Sequence, residues 1–327
     1  MNRNKLFTQG KLRAVVSQKE ALALITKRTT PVVILEVVSD YYADEDARQY
    51  RRKHPIQGFF QINSDRFEQL PMWNLRSDET MIKVLEEYGI TPASEKMILL
   101  YDTIQIDCGN ATSRFDASAR IYSVLKYFGF ENVAIIMDNK ITSHFPNEFA
   151  LNHPEIVRRL SAPETSNTNS TPSGTTHLRH PIPVEWSKEQ ISRSPSHKNV
   201  FVSYETLLKM IAGELGPYRL LDARSAEEYA GTFTGYDFIP VAGRIPTSES
   251  IVNGDFQLPK YEILTDILER LERTFRRRGI SKTDRIIWYC GTGWRAARMF
   301  ALSHALGYKK VGIYEGGWNE WYQRHPL

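Results

Sequence analysis

The chain repeats itself at long range. SEKMILLYD, ending at Asp102, and KTDRIIWYC, ending at Cys290, share a charged lead-in and an apolar run, and each follows a Gly-Ile pair, Gly89-Ile90 and Gly279-Ile280. Further along, ARIYSVLKYFGFENVAIIMDN from Ala119 matches ARMFALSHALGYKKVGIYEGG from Ala297 as a helical segment, a Gly turn and a β-rich run. Upstream, VVSQKEALALI near Val16 pairs with FVSYETLLKMI near Val202, PVVILEV with YRLLDAR, and PIQGFF with PVAGRI. The offset stays near roughly 186 residues apart from an insertion after Asp102. A chain of 327 residues has room for two such copies, each long enough to enclose its own core.

Each copy alternates short β-branched runs with helical patterns. That order predicts an α/β architecture, a mainly parallel sheet with helices on both faces, occurring twice in tandem. The expected division is an N-terminal unit over 11–150, a linker over 151–198 and a C-terminal unit over 199–327. The connector LSAPETSNTNSTPSGTTHLRHPIP, at 160–183, is rich in Ser, Thr, Asn and Pro and carries almost no apolar periodicity.

Composition narrows the function classes. No run approaches the roughly 18 apolar residues of a membrane span, and the basic N-terminus lacks the continuous apolar stretch of a secretory signal. Only two cysteines occur, Cys108 and Cys290, so no disulfide framework is expected and a cytoplasmic setting is. A net charge of +4 is weak for a nucleic-acid partner. The cluster RTFRRRG at 273–279 reads as a solvated helix end whose cations complement the helix dipole. The histidines are scattered without metal-ligand spacing, and neither a metal nor an organic cofactor is expected.

RIIWYCGTGWRAARMF, at 285–300, concentrates the chemistry. Ile286, Ile287, Trp288 and Tyr289 are strand formers, Gly291 and Gly293 permit a tight turn, and the residues from Trp294 onward favour a helix. Cys290 therefore falls between a strand end and a helix start, where several backbone N–H groups lack partners and converge. Such a place favours an anion. The helix dipole and Arg295 are expected to favour a thiolate there, and a persulfide formed on it would put its outer sulfur in the same cradle. Thr292 and Tyr289 supply hydroxyls expected to flank the thiol. Asp222 and Arg224, in the DAR at another strand end, are expected to form an ion pair or to brace loop backbone near the site. Cys108 lies in an inserted loop and reads as an ordinary thiol, with a resolving role as the alternative.

These blocks carry a resemblance. LLDARSAEEYAG (220–231), AGRIPTS (242–248), WYCGTGWRA (288–296) and GYKKVGIYEGGWNEW (307–321) make the second copy similar to an active rhodanese domain. The first copy resembles the inactive partner of a tandem-rhodanese sulfurtransferase. The resemblance implies two rhodanese-like domains and a sulfurtransferase that carries sulfur on Cys290, with the loop from Cys290 to Arg295 as its cradle. Asp102 occupies the matching position in the first copy, and a carboxylate there cannot carry sulfur. The implied partners are small sulfur donors and acceptors, with a protein acceptor as a further possibility.

Departures from the family pattern bear on substrate. Thiosulfate-using members tend to place basic residues in the loop and an arginine after the DxR block; this chain has Thr292, Gly293 and Glu228 there. Thiosulfate is thus expected to be a poorer donor than polysulfide or a persulfide. The YCGTGWR loop resembles a branch that includes anaerobic ergothioneine synthases, which place sulfur on the imidazole of trimethylated histidine. For such a cationic acceptor Trp294 offers a cation–π face and Glu228 a negative charge. The alternatives are that Trp294 packs between the domains and that Glu228 is a solvated helix charge. A cysteine phosphatase is disfavoured because its loop places arginine at the sixth position after cysteine, where this chain has Ala296. A binding module without turnover would be expected to have lost Cys290 or its glycines. A persulfide relay to a protein in tRNA or cofactor thiolation uses the same chemistry.

Overall fold

The computed structural model describes residues 7–8, 11–27, 32–39, 59–91, 96–102, 106–108, 111–113, 115–137, 199–252 and 264–325. The segment read as a linker, 151–198, lies outside the described residues.

In the first unit, β1 (Val15–Val16), α1 (Gln18–Lys27), β2 (Val32–Val38) and β3 (Phe59–Asn63) lead to a short hairpin of β4 (Glu68–Gln69) and β5 (Asn74–Leu75). Then come α2 (Asp78–Glu87), β6 (Met97–Asp102), α3 (Asp116–Tyr127) and β7 (Val133–Ile136). The second unit comprises β8 (Phe201–Val202), α4 (Tyr204–Ile211), β9 (Arg219–Asp222), α5 (Ala226–Ala230) and β10 (Glu249–Ser250). It continues with α6 (Leu264–Arg277), β11 (Ile286–Tyr289), α7 (Trp294–Ala305), β12 (Val311–Tyr314) and α8 (Gly317–Arg324).

The duplication seen in sequence is a duplication of topology. One sheet runs β1-β7-β6-β2-β3 and the other β8-β12-β11-β9-β10, and every pairing in both is parallel. The strand that ends in Asp102 and the strand that leads to Cys290 are each the centre of their sheet. The insertion after Asp102, expected as a loop, contains a hairpin in which Ile106–Cys108 pairs antiparallel with Ala111–Ser113, Cys108 opposite Ala111.

Local sequence explains the elements. α6 buries Leu264, Ile267, Leu268, Leu271 and Phe275, one stripe of an amphipathic helix, and leaves Arg273, Arg276 and Arg277 exposed. Ser203 caps α4 by accepting from Thr206 N–H, and Ser225 with Glu228 closes a capping box on α5. Successive strand residues face opposite ways: Ile286 and Trp288 join one apolar cluster, Ile287 and Tyr289 another.

The first of those clusters is shared by both units. It runs from α2 and α3 of the first through α7 to α6 of the second, so α3 and α7 are each buried over much of their surface. Arg298 of α7 donates from Nε to Asp116 Oδ1 at 2.6 Å, both side chains buried, and Tyr122 packs on Phe300 with ring centroids 6.1 Å apart. No helix among the described residues is long and apolar enough to cross a membrane.

Candidate active site

Cys290 follows β11 directly and is fully buried. The next three residues turn the chain, and α7 starts at Trp294. Gly293 serves as the helix N-cap with φ 91°, the left-handed region that favours glycine, and its N–H donates to Cys290 Sγ at 3.1 Å. The loop carbonyls point the other way. Trp318 N–H donates to Cys290 O at 2.7 Å and Asn319 N–H to Gly291 O at 3.0 Å, so the start of α8 ties down the acceptors while loop donors are left for the sulfur. Thr292 is buried within this turn. A Cβ on Gly291 would stand 2.2 Å from Tyr236 Cε2, which shows how closely that ring lies on the loop.

Residues 203–324 match the family of rhodanese-like domains. The segment that holds Cys290 is thus rhodanese-like. Similarity reaches beyond that segment: the thiosulfate sulfurtransferase YnjE of Escherichia coli is 25% identical over 276 residues, covering 81% of this chain and 53% of that protein. A probable 3-mercaptopyruvate sulfurtransferase of Schizosaccharomyces pombe is 26% identical over 218 residues, 64% of this chain and 61% of that one. The chain thus spans between half and two thirds of the length of these relatives. Among solved structures, the anaerobic ergothioneine biosynthesis enzyme of Chlorobium limicola, in complex with trimethyl histidine, superposes with a TM-score of 0.66 at 23% identity. That superposition covers 94% of this chain and 68% of the other, and it bears on the fold.

Several residues expected around the thiol sit differently. Tyr289 precedes Cys290 on a strand, so its side chain leaves by the opposite face. Its hydroxyl donates to Asp222 Oδ2, lies 3.0 Å from Ser248 Oγ, and accepts from Ile245 N–H at 3.3 Å. Burial, reinforced by the Asp222 charge, pushes that phenol well above its ordinary range. Asp222 and Arg224 pair with each other, Arg224 Nη2 to Asp222 Oδ2 at 2.7 Å, and Nη2 also donates to Gly243 O at 2.7 Å. The pair braces the 243–248 segment.

Arg295 and Glu228 correct the charge reading most. Glu228 is neither a solvated helix charge nor a bare negative charge: it is 1% exposed and bidentate with Arg295, Nη1 to Oε2 at 2.6 Å and Nη2 to Oε1 at 2.8 Å. Burial raises the Glu228 carboxyl, but the Arg295 charge and hydrogen bonds outweigh it and leave the group below its ordinary value. Arg295 in turn lies 5.3 Å over the Tyr236 ring. The charge expected to serve the thiolate is therefore compensated by a carboxylate, and the like-charge argument against thiosulfate disappears with it.

Trp294 packs between the units. Its Nε1 donates to Glu68 Oε1 at 2.9 Å and Oε2 at 3.0 Å, and its ring meets the edge of Trp73 at 6.4 Å between centroids. Trp73 continues to Phe238 at 6.3 Å, and Phe238 to Tyr236 at 5.1 Å. Trp73, Tyr236, Phe238 and Glu68 were not singled out by sequence motifs, because none belongs to the repeated blocks around Cys290. Of Cys108 only the backbone position is described. Among the described residues no cluster of His, Cys, Asp or Glu has metal-binding geometry.

Proposed function

We propose that the chain is a sulfurtransferase in which Cys290 carries sulfane sulfur as a persulfide. The observation that carries this reading is the Gly293 N–H directed at Cys290 Sγ from the start of α7, with the Cys290 and Gly291 carbonyls held away by α8. A donor set of that kind stabilises an anion on or just beyond the sulfur. The Cys290 thiolate attacks the outer sulfur of the donor. The Sγ–S bond forms as the donor's S–S bond breaks, and the electron pair leaves as sulfite from thiosulfate or as a thiolate from a persulfide or polysulfide. An acceptor nucleophile then attacks the outer sulfur, and Sγ leaves with the pair, restoring the thiolate. Arg295 fixes the far side of the loop through Glu228, and Thr292 fills the turn. With their charges paired internally, Asp222, Arg224, Glu228 and Arg295 hold the site's shape rather than select a charged donor.

A second reading concerns the acceptor. Trp73, Trp294, Tyr236 and Phe238 form a run of aromatic rings from the loop to the surface, where Phe238 is exposed. Faces of that kind suit a cationic acceptor such as a trimethylated amine, in keeping with the YCGTGWR resemblance. Turnover with cyanide or small thiols tests the first reading. Sulfur transfer to trimethylated histidine, with cyanide turnover weak, selects the second, and a requirement for a protein acceptor selects a relay.

A further inference from the structure

Glu68 belongs to the unit that lacks the candidate cysteine, yet its carboxylate sits against the cysteine loop. It accepts from Arg120 Nε at 2.6 Å and from the Trp294 indole N–H, and all three side chains are buried. Trp294 directly follows Gly293, the donor to Cys290 Sγ. The rest of the β4–β5 hairpin reaches the same region: Asn319 Nδ2 donates to Pro71 O at 3.3 Å, and Leu75 N–H donates to Glu315 Oε2 at 3.1 Å. Trp73, at the turn, has φ 64°, a left-handed conformation that a bulky residue adopts only when its surroundings over-determine it. Arg120 Nη2 holds its carbonyl at 3.1 Å. Arg120 also lies flush on the loop, since a Cβ at Gly293 would stand 2.8 Å from its Nη1.

We propose that Glu68 is a positioning residue for the Cys290 cradle, holding Trp294 and through it the Gly293 N–H in register with the sulfur, so that the first unit takes part in the chemistry of the second. The activity readout rests on the sulfurtransferase reading; the geometric claim does not. Removing the indole N–H on top of Glu68→Ala should therefore do no further damage, whereas Glu68→Ala alone also takes the carboxylate from the buried Arg120.

The experiment compares wild type with Glu68→Ala, Glu68→Gln, Trp294→Phe and Glu68→Ala/Trp294→Phe in two assays. The first is sulfur transfer from persulfide-loaded protein to cyanide. The second is the rate at which iodoacetamide alkylates Cys290, followed by peptide mass. Glu68→Ala and Trp294→Phe are each expected to lower kcat about tenfold with KM within about twofold, as for loss of one aligned donor. The double variant should match Glu68→Ala, and Glu68→Gln, which keeps an acceptor oxygen, should recover most of the rate. Alkylation should shift in the same non-additive pattern. Multiplicative single effects, or wild-type rates in Trp294→Phe and Glu68→Ala together with unchanged alkylation, overturn the proposal. If wild type never accepts sulfur but alkylation shows the non-additive pattern, the positioning role stands and the sulfurtransferase reading falls.

Discussion

Replacing Glu228 by alanine would strand a guanidinium. Arg295 is bound to Glu228 at 2.6 and 2.8 Å, and the two side chains are 5% and 1% exposed, so no solvent is at hand to take over when the carboxylate goes. Removing one partner of a buried pair costs about 3–5 kcal/mol, most of it the penalty of leaving the other charge uncompensated. Glu228 also completes the α5 capping box with Ser225, whose loss adds about 1 kcal/mol. Arg295→Met alone should be less costly than Glu228→Ala, and the double variant Glu228→Ala/Arg295→Met should recover a good part of the loss. Urea unfolding of the four proteins, read as a double-mutant cycle, measures this directly. A Glu228→Ala loss below about 1 kcal/mol, or strict additivity of the two substitutions, would show that the pair is solvated and that the charge account of the loop is mistaken.

Three other outcomes follow from the same geometry. Burial pushes the Glu68 carboxyl up to about 7 despite Arg120 and Trp294. The unfolded chain then releases this proton near 4.5 and the folded one near 7, so stability is fullest below 4.5 and falls as pH rises to 7; the difference between wild type and Glu68→Gln should drop by about 3 kcal/mol across that window and be flat above it, as pH-dependent urea melts would show. Gly293→Ala should abolish sulfur loading in a rhodanese assay, because its Cβ would lie 2.8 Å from both Arg120 Nη1 and Glu315 O at a φ of 91°; loading at the wild-type level would contradict the loop geometry. Tyr289→Phe should cost about 1–3 kcal/mol by leaving Asp222 short of a donor while changing kcat less than about twofold; a hundredfold fall in kcat at unchanged stability would return that hydroxyl to the thiol.

Repetition made the fold legible. Matching blocks around Asp102 and Cys290 implied two copies of one α/β unit, and both sheets have the same strand order with those residues at the ends of their central strands. The loop's glycines were equally readable, since a strand-to-helix turn closing on a thiol needs a left-handed residue near Gly293. Period-two alternation places strand neighbours on opposite faces, a signal against the expectation that the Tyr289 hydroxyl flanks the thiol. The S-x-x-E pattern at Ser225 and Glu228 is a capping-box signature, a local signal that the reading of Glu228 as a site charge or a solvated helix charge did not use. Two things had no local signal. That Glu228 also meets Arg295, 67 positions away, is a tertiary pairing. Nor does anything in DRFEQLPMWN mark it as the stretch that reaches the loop of the other copy. The paired Ala-Arg at 119–120 and 297–298 hints at it, since both arginines lie on the helices that join the units.

The central claim is that sulfur is carried on Cys290. Intact-mass analysis after incubation with polysulfide, thiosulfate or mercaptopyruvate should show one added sulfur, about 32 Da, that cyanide or a reductant removes and that Cys290→Ser abolishes. Full loading retained in Cys290→Ser and lost in Cys108→Ser would contradict it.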